Sequence, residues 1–343
     1  MQEHIVFLTP GFPENEEDSR CIPALQIFLK ALKKEFSGTL SVISFQYPYQ
    51  PKNYQWNGIP IYALGGNNSR FKKKLTWKKA KNVFKTIHTA DPVSMVHSFW
   101  MGECAAVASA LAIEYNIKHS CTLMGQDVLK GNNYFHKVKK VNQLITLSHF
   151  HQQELKKNYH IDSTIIPWGI NQQEQYSQPK HIDVIGVGAL TNLKSYHEFI
   201  AIIHLLKTDF PNITAKIIGD GVLKNKLQSQ IDSLALTEHI ELTGLLTYQE
   251  TQKQIAQSKV LLHVSDFESF GMVVIEALSV HTQVVSKPVG IAKELQEVVK
   301  INSVIEAAEK LTTILKNEPK VQIDKVSFSI KNTVKKYVQI FHE

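Results

Sequence analysis

The sequence predicts an α/β protein of two doubly wound domains, each a mostly parallel sheet with helices packed on its faces. Three observations predict it. The chain has 343 residues, more than one ordinary hydrophobic core accommodates, so two domains of about 170 residues are expected. In both halves, short apolar runs rich in β-branched residues alternate with segments of helical period, the pattern of parallel strands joined by crossover helices. Between the halves the polar, glutamine-rich stretch Asn171 to Lys180 interrupts that alternation, which places the boundary there. The expected division is a first domain over 1–172, a second over 180–323, and a terminal helix over 324–343.

In the first half, strands are expected at His4 to Thr9, Leu40 to Phe45, Ile59 to Leu64, Ser94 to His97, Ser120 to Met124, Leu144 to Thr146 and Thr164 to Ile166. Helices are expected from about Ile22 to Phe36 and from Gly102 to about Tyr115. The loop Pro10-Gly11-Phe12-Pro13 follows the first strand. In such sheets ligands bind beyond the carboxyl ends of the strands, so Gly11 is placed to approach a phosphate, although a glycine between prolines also reads as a plain turn. His97 ends its strand and is a candidate catalytic group, with a packed or capping histidine as the alternative.

An apolar fraction of 43% suits a globular protein. No apolar run reaches the eighteen or so residues of a membrane span, and Met1-Gln2-Glu3-His4 lacks the cationic lead of a signal peptide. A cytoplasmic protein is therefore expected. Cys21, Cys104 and Cys121 have neither paired nor metal-like spacing, which points to reduced interior thiols. No metal site is expected from any carboxylate or histidine cluster.

Gly65 to Lys85 has the most unusual composition. Arg70 and seven lysines, Lys72, Lys73, Lys74, Lys78, Lys79, Lys81 and Lys85, surround Phe71, Leu75 and Trp77. On a helical wheel from Thr76, the residues Trp77, Ala80, Val83, Phe84 and Ile87 gather on one side, a stripe docked on its own domain. Phe71 and Leu75 fall outside it. Basic charge with spare apolar side chains suits an anionic membrane surface, so Arg70, Phe71, Lys72, Lys73, Lys74 and Leu75 are candidate membrane contacts. A solvated lysine face is the alternative. Nucleic acid is not expected, because the formal charge of +7 comes without a recognisable nucleic-acid module.

The most informative stretch runs from Ser265 to Ser279. It follows the apolar strand-like run Val260-Leu261-Leu262-His263-Val264 and leads into a helix expected to begin near Ser269 or Phe270. Between Met272 and Val280 only Glu276 and Ser279 are polar, so the helix reads as buried on nearly every side. A buried carboxylate needs a structural cation or donor groups supplied by something that visits. Helical side chains lean toward the N-terminus, which aims Glu276 back toward Glu268. Unpaired backbone N–H groups at such a helix start suit a diphosphate, while carboxylates suit sugar hydroxyls, and together they point to a nucleotide sugar. A structural helix with one glutamate in a salt bridge is the alternative.

The spacing Glu268 to Glu276, with Phe270-Gly271 between, resembles the Glu-x7-Glu signature of the retaining glycosyltransferases of the GT-B fold, family 4 (glycosyl transferases group 1). Gly125 and Asp127 match that family's strand-end motif, in which Met124 replaces a histidine. In Val187-Gly188-Ala189, Ala189 replaces a basic residue, while Lys194 matches a later lysine. Ile217-Ile218-Gly219-Asp220-Gly221 resembles a nucleotide-side loop, His281 stands where the family has glycine, and Gly290 matches the glycine of a later loop.

The resemblance implies two Rossmann-like domains facing across a cleft. The N-terminal domain would take the acceptor and the C-terminal domain a UDP-, GDP- or ADP-sugar, with the terminal helix crossing back. It implies hexosyl transfer with retention of configuration, without a metal or other cofactor, in cell-surface glycan or glycolipid synthesis. A lipid-linked or glycan acceptor and peripheral contact with the inner face of the membrane would follow. In this reading Glu268 holds the donor sugar, and His97 and Asp127 face the reacting sugar or acceptor. Glu276 holds the ribose, and Gly11, Lys194, Gly219, Ser269, Phe270 and Gly271 line the diphosphate and nucleotide. A nucleotide-sugar epimerase of the same fold and a non-catalytic partner recruited to the membrane are the alternatives.

Overall fold

A computed structural model describes residues 3–171, 179–317 and 328–342. The chain packs as two compact units, residues 1–171 with 328–343 and residues 172–327. Most of the expected boundary stretch lies outside the described residues, as do the first residues of the expected terminal helix. Ile330–His342 is helical and belongs to the first unit.

The first unit carries β1 (His4–Gly11), β2 (Thr39–Tyr47), β3 (Lys52–Trp56), β4 (Ile59–Ala63), β5 (Met95–Phe99), β6 (Lys118–Thr122), β7 (Gln143–Thr146) and β8 (Thr164–Ile165). They form one sheet in the order β3-β4-β2-β1-β5-β6-β7-β8. Its helices are α1 (Pro23–Glu35), α2 (Lys73–Ala90), α3 (Glu103–Glu114), α4 (Tyr134–Lys137), α5 (His149–Tyr159) and the C-terminal helix. Every pairing is parallel except that of β3 with β4. The seven expected strands are present and β3 is an addition. It pairs with β4 through the two-residue loop Asn57-Gly58, both with positive φ (48° and 71°), the geometry that Asn-Gly favours in a tight hairpin.

The amphipathic reading of α2 holds, with Thr76, Ala80, Phe84 and Ile87 buried and Trp77 and Val83 packed at the edge of the same core. Beneath the other face of the sheet, Phe7, Phe28, Phe99, Trp168, Tyr337 and Phe341 form an aromatic cluster that seats the C-terminal helix. Cys104 and Cys121 are buried and Cys21 is half-buried, so the expectation of an interior thiol is only partly met at Cys21.

The second unit carries β9 (Ile182–Val187), β10 (Ala215–Ile218), β11 (Ile240–Gly244), β12 (Ser258–His263), β13 (Gln283–Ser286) and β14 (Val299–Lys300). Its helices are α6 (Tyr196–Leu206), α7 (Lys224–Ser233), α8 (Tyr248–Ala256), α9 (Met272–Ser279) and α10 (Val304–Asn317). The sheet is parallel throughout, in the order β11-β10-β9-β12-β13-β14. Numbered within the unit this is 3-2-1-4-5-6, the doubly wound order whose reversal point lies between β9 and β12. Val184, Ile200, Ile203, Ile217, Val260 and Leu262 are central to its core. The loops leaving β9 and β12 therefore open at the place where doubly wound sheets bind ligands.

Candidate functional site

In the second unit the chain leaves β9 at Gly188 and makes a 3-10 turn, Asn192–Lys194, before α6. It leaves β12 at His263, passes Asp266 and Glu268, and enters α9 at Met272. The helix starts later than the sequence suggests because Gly271, at φ 88°, turns the chain in a left-handed conformation just before it. The Lys194 ammonium binds Glu268 Oε1, which joins the two loops. His263 Nε2 meets the same oxygen at 3.0 Å, and no described residue bonds Oε2. Burial pushes the Glu268 carboxyl up, but His263 and Lys194 outweigh it and hold it at about 2, so the group is a carboxylate.

A second ionic set braces the loop from below. Lys287, just past β13, binds Asp266 Oδ1 at 2.7 Å and Glu198 Oε1 at 2.8 Å, and Ser195 Oγ donates to Asp266 Oδ2 at 2.6 Å. Burial alone would push the Asp266 carboxyl up, yet Lys287 and Ser195 hold it below the usual range. Gly290 fits beneath the loop because a Cβ there would lie 2.4 Å from the Phe270 carbonyl oxygen and 3.0 Å from Glu268 Cβ. The Ile291 N–H donates to that carbonyl at 2.7 Å.

Glu276 is 8% exposed and takes different partners from Glu268. Tyr248 and Gln252, one turn apart on α8, stand beside its carboxyl and draw its pKa down, but burial outweighs them and pushes it up to about 7. Its neighbours on α8 are neutral side chains of the protein itself. The two glutamates do not converge on one set of groups: Glu268 belongs to the β9 and β12 loops, and Glu276 to α8.

Gly219 is a spacer, a correction to its expected ligand contact. A Cβ there would lie 1.9 Å from the Gly188 carbonyl oxygen, and its N–H already donates to Gly244 O at 3.0 Å. Ser269 and Phe270 are buried at 8% and 1% exposure. The Phe270 side chain is therefore core, and what this loop offers a ligand is the backbone around Gly271 and the first turn of α9. Ala189 is exposed, with no charge at the position where the resemblance implies one. His281 has φ 57° directly after α9. A left-handed residue just past a helix end is a conformation that favours glycine.

In the first unit three expected substrate-facing residues are corrected. His97 sits inside the fully buried β5 with no exposure. Its Nδ1 meets Ser120 Oγ at 2.6 Å, its Nε2 meets Thr122 Oγ1 at 3.0 Å, and burial pushes its pKa well down. It is a satisfied core histidine, because a central strand of a doubly wound sheet is covered on both faces. Asp127 ties its own loop to the one after β5: Oδ2 accepts from Met101 N at 2.8 Å and Met124 N at 3.3 Å, and Oδ1 from Gly125 N at 2.9 Å. Its side chain is 6% exposed. Gly11 is the buried last residue of β1, covered by Cys21 and Tyr47, so it does not stand in an open loop.

Of the basic stretch, Arg70, Lys72 and Lys74 are exposed, Phe71 is fully exposed and Leu75 is 53% exposed. Lys73 is engaged elsewhere, 3.0 Å from Glu103 Oε1 and 2.6 Å from Tyr134 Oη, which corrects its place among the membrane contacts.

His263, Lys287, Tyr248 and Gln252 were missed in the sequence. His263 had the clearest signal, a polar ring in an otherwise apolar strand run five residues before Glu268. The i,i+4 pair Tyr248 and Gln252 follows a Thr247–Glu250 capping box, which fixes the helix start and hence their shared face. Among the described residues, no group of three or more His, Cys, Asp or Glu is arranged to hold a metal ion.

Residues 170–325 match the family described as Glycosyl transferases group 1. An uncharacterized glycosyltransferase of Methanocaldococcus jannaschii is 27% identical over 218 residues, 62% of this chain and 60% of that protein. The match thus leaves about two fifths of that relative uncovered. Sucrose-phosphate synthase from Thermosynechococcus elongatus superposes with a TM-score of 0.82 at 15% identity, over 99% of this chain and 98% of that one. Anabaena HepE in complex with UDP and glucose superposes with a TM-score of 0.70 at 17% identity, over 99% of this chain and 96% of that one. These likenesses show the fold: two Rossmann-like units of the GT-B type.

Proposed function

We propose that the chain is a retaining glycosyltransferase of family 4 that moves a hexosyl group from a nucleoside-diphosphate sugar to a lipid-linked or glycan acceptor. The second unit takes the donor and the first unit the acceptor. The observation that carries this reading is the Lys194–Glu268–His263 set, built on the loops at the sheet's reversal point and beside the N-terminus of α9. Glycosyl transfer must stabilise a departing diphosphate and an oxocarbenium-like sugar. Lys194 and the first-turn N–H groups of α9 meet the diphosphate. Glu268, anchored through Oε1, offers Oε2 to the donor-sugar hydroxyls, and Glu276 takes the ribose. UDP is the first nucleotide to test, since the HepE structure of the same fold holds UDP and glucose.

The roles separate on mutation. A charge-assisted hydrogen bond contributes about 1.5 to 3 kcal/mol, roughly ten- to a hundredfold in a binding constant. Glu276→Gln should weaken UDP binding by about that factor, while Glu268→Gln leaves UDP affinity near wild type and lowers turnover of the UDP-sugar. Titration calorimetry with UDP, and with GDP and ADP as comparisons, decides it. Folded variants that all bind like wild type would refute the ribose role of Glu276, and a wild type that binds none of the three would refute the function.

A second observation supports peripheral contact with the inner face of an anionic membrane: Arg70, Lys72 and Lys74 stand beside the exposed Phe71 and Leu75 at the start of α2. At about 1 kcal/mol per basic residue near such a surface, a few contacts give reversible, salt-sensitive binding. Sedimentation with phosphatidylserine-containing vesicles should recover more protein than with neutral vesicles at low salt. Equal recovery would end this reading.

A further inference from the structure

The hydrogens around His263 can be counted. The residue is 4% exposed at the end of β12. Ser286 Oγ, which has one hydrogen, donates it to Lys287 O at 2.7 Å. It therefore accepts at the 2.9 Å contact with His263 Nδ1, so Nδ1 carries a hydrogen. On the opposite side Nε2 stands 3.0 Å from Glu268 Oε1. A carboxylate only accepts, and an unprotonated Nε2 would set two lone pairs against each other in a buried place. Both nitrogens are then donors.

We propose that His263 is a cationic positioning residue that, with Lys194, fixes Glu268 through Oε1 and leaves Oε2 as the atom that meets the donor sugar. The positioning role rests on the donor reading above; the protonation state does not. Lys194, His263 and Glu268 together carry one net positive charge, a sign that suits a diphosphate. Lys287, whose backbone N–H donates to His263 O at 3.0 Å, has its ammonium paired with Asp266 and Glu198. The competing arrangement turns Ser286 so that its hydroxyl donates to Nδ1, which gives a neutral ring and leaves the Lys287 carbonyl without that bond.

Long-range 1H–15N correlation spectra of the ligand-free protein at neutral pH distinguish the two, with the His263 signals assigned by their loss in His263→Gln. Both ring nitrogens in the N–H range are expected; one in the unprotonated range would overturn the proposal. For positioning, His263→Gln keeps one donor toward Glu268 and His263→Phe keeps none. His263→Phe should weaken UDP-glucose binding tenfold or more and UDP binding much less, with His263→Gln restoring most of the loss. Equal affinities of the Phe variant and wild type, or of the two variants, would overturn the positioning role. A wild type that binds neither UDP nor UDP-glucose overturns the donor reading and positioning with it, and the spectrum still decides the charge.

Discussion

Glu268 and Glu276 are separated by seven residues of one loop and helix, and both are largely buried, yet their carboxyls are displaced in opposite directions. Glu268 is held at about 2 because Lys194 and His263 outweigh its burial; Glu276 is pushed up to about 7 because its neutral neighbours Tyr248 and Gln252 do not. Burial is the first cause in both cases, and the sign of the outcome depends on whether the compensating partner carries charge. One glutamate is a permanent anion, and the other changes charge near neutrality. The pair therefore offers a fixed acceptor and an adjustable one within a single turn-and-helix segment.

The most disruptive test of that comparison is Gly290→Ala. Its Cβ would press on the Phe270 carbonyl and Glu268 Cβ at a residue with φ 53°. A left-handed alanine costs roughly 1 to 2 kcal/mol and overpacking roughly 1 to 3 more, so a loss of about 2 to 5 kcal/mol is expected. The damage should fall on the Glu268 loop, with UDP-glucose turnover lost while the surroundings of Glu276 on α8 persist. Urea unfolding and a donor assay check both parts. An unchanged midpoint with full turnover would show that the loop does not depend on this close approach.

The two glutamines then sharpen the comparison through pH. Glu268 has its folded value lowered from the ordinary 4.5 to about 2, so its contribution is present above pH 4.5 and lost as pH falls through 2. At about 1.4 kcal/mol per tenfold this is about 3 kcal/mol. Glu268→Gln should be less stable than wild type at pH 7 by up to that amount, with the difference closing toward pH 2. Glu276 is raised from 4.5 to about 7, so stability falls as pH rises from 4.5 through 7 and the penalty, again about 3 kcal/mol, is complete above 7. Glu276→Gln should be the more stable protein at pH 8 and similar to wild type at pH 4. Unfolding curves across pH 2 to 8 test both signs, and parallel curves for the two variants would break the comparison.

Tyr248→Phe removes one neutral donor from Glu276. A loss of about 1 kcal/mol is expected, and the pH at which Glu276 titrates should rise further, while Glu268 is unaffected. The smallest effect belongs to His281→Gly, at the end of the same helix. Relieving a left-handed histidine at φ 57° should stabilise the fold by about 1 kcal/mol without altering UDP affinity. A change in UDP affinity there would mean that the helix end communicates with the ligand site.

By itself the sequence determined the local patterns. Seven strands of the first unit, the amphipathic face of α2 and the strand–loop–helix of the central stretch are legible because side-chain period reports secondary structure directly. The hairpin strand β3 was also legible in Asn57-Gly58 and was passed over, its polar residues obscuring the strand. The tertiary structure decided which polar groups meet. His97 looked like a strand-end group, but β5 runs on to Phe99 and is covered on both faces, so the imidazole is core. Lys194 meets Glu268 across more than seventy residues, and Tyr248 and Gln252 reach Glu276 from another helix. Such pairs follow from the strand order, which sets loops and helices side by side whatever their separation along the chain. The sign of each glutamate's displacement follows from that meeting: a residue type sets the ordinary pKa, and only its three-dimensional neighbours determine whether burial or charge prevails.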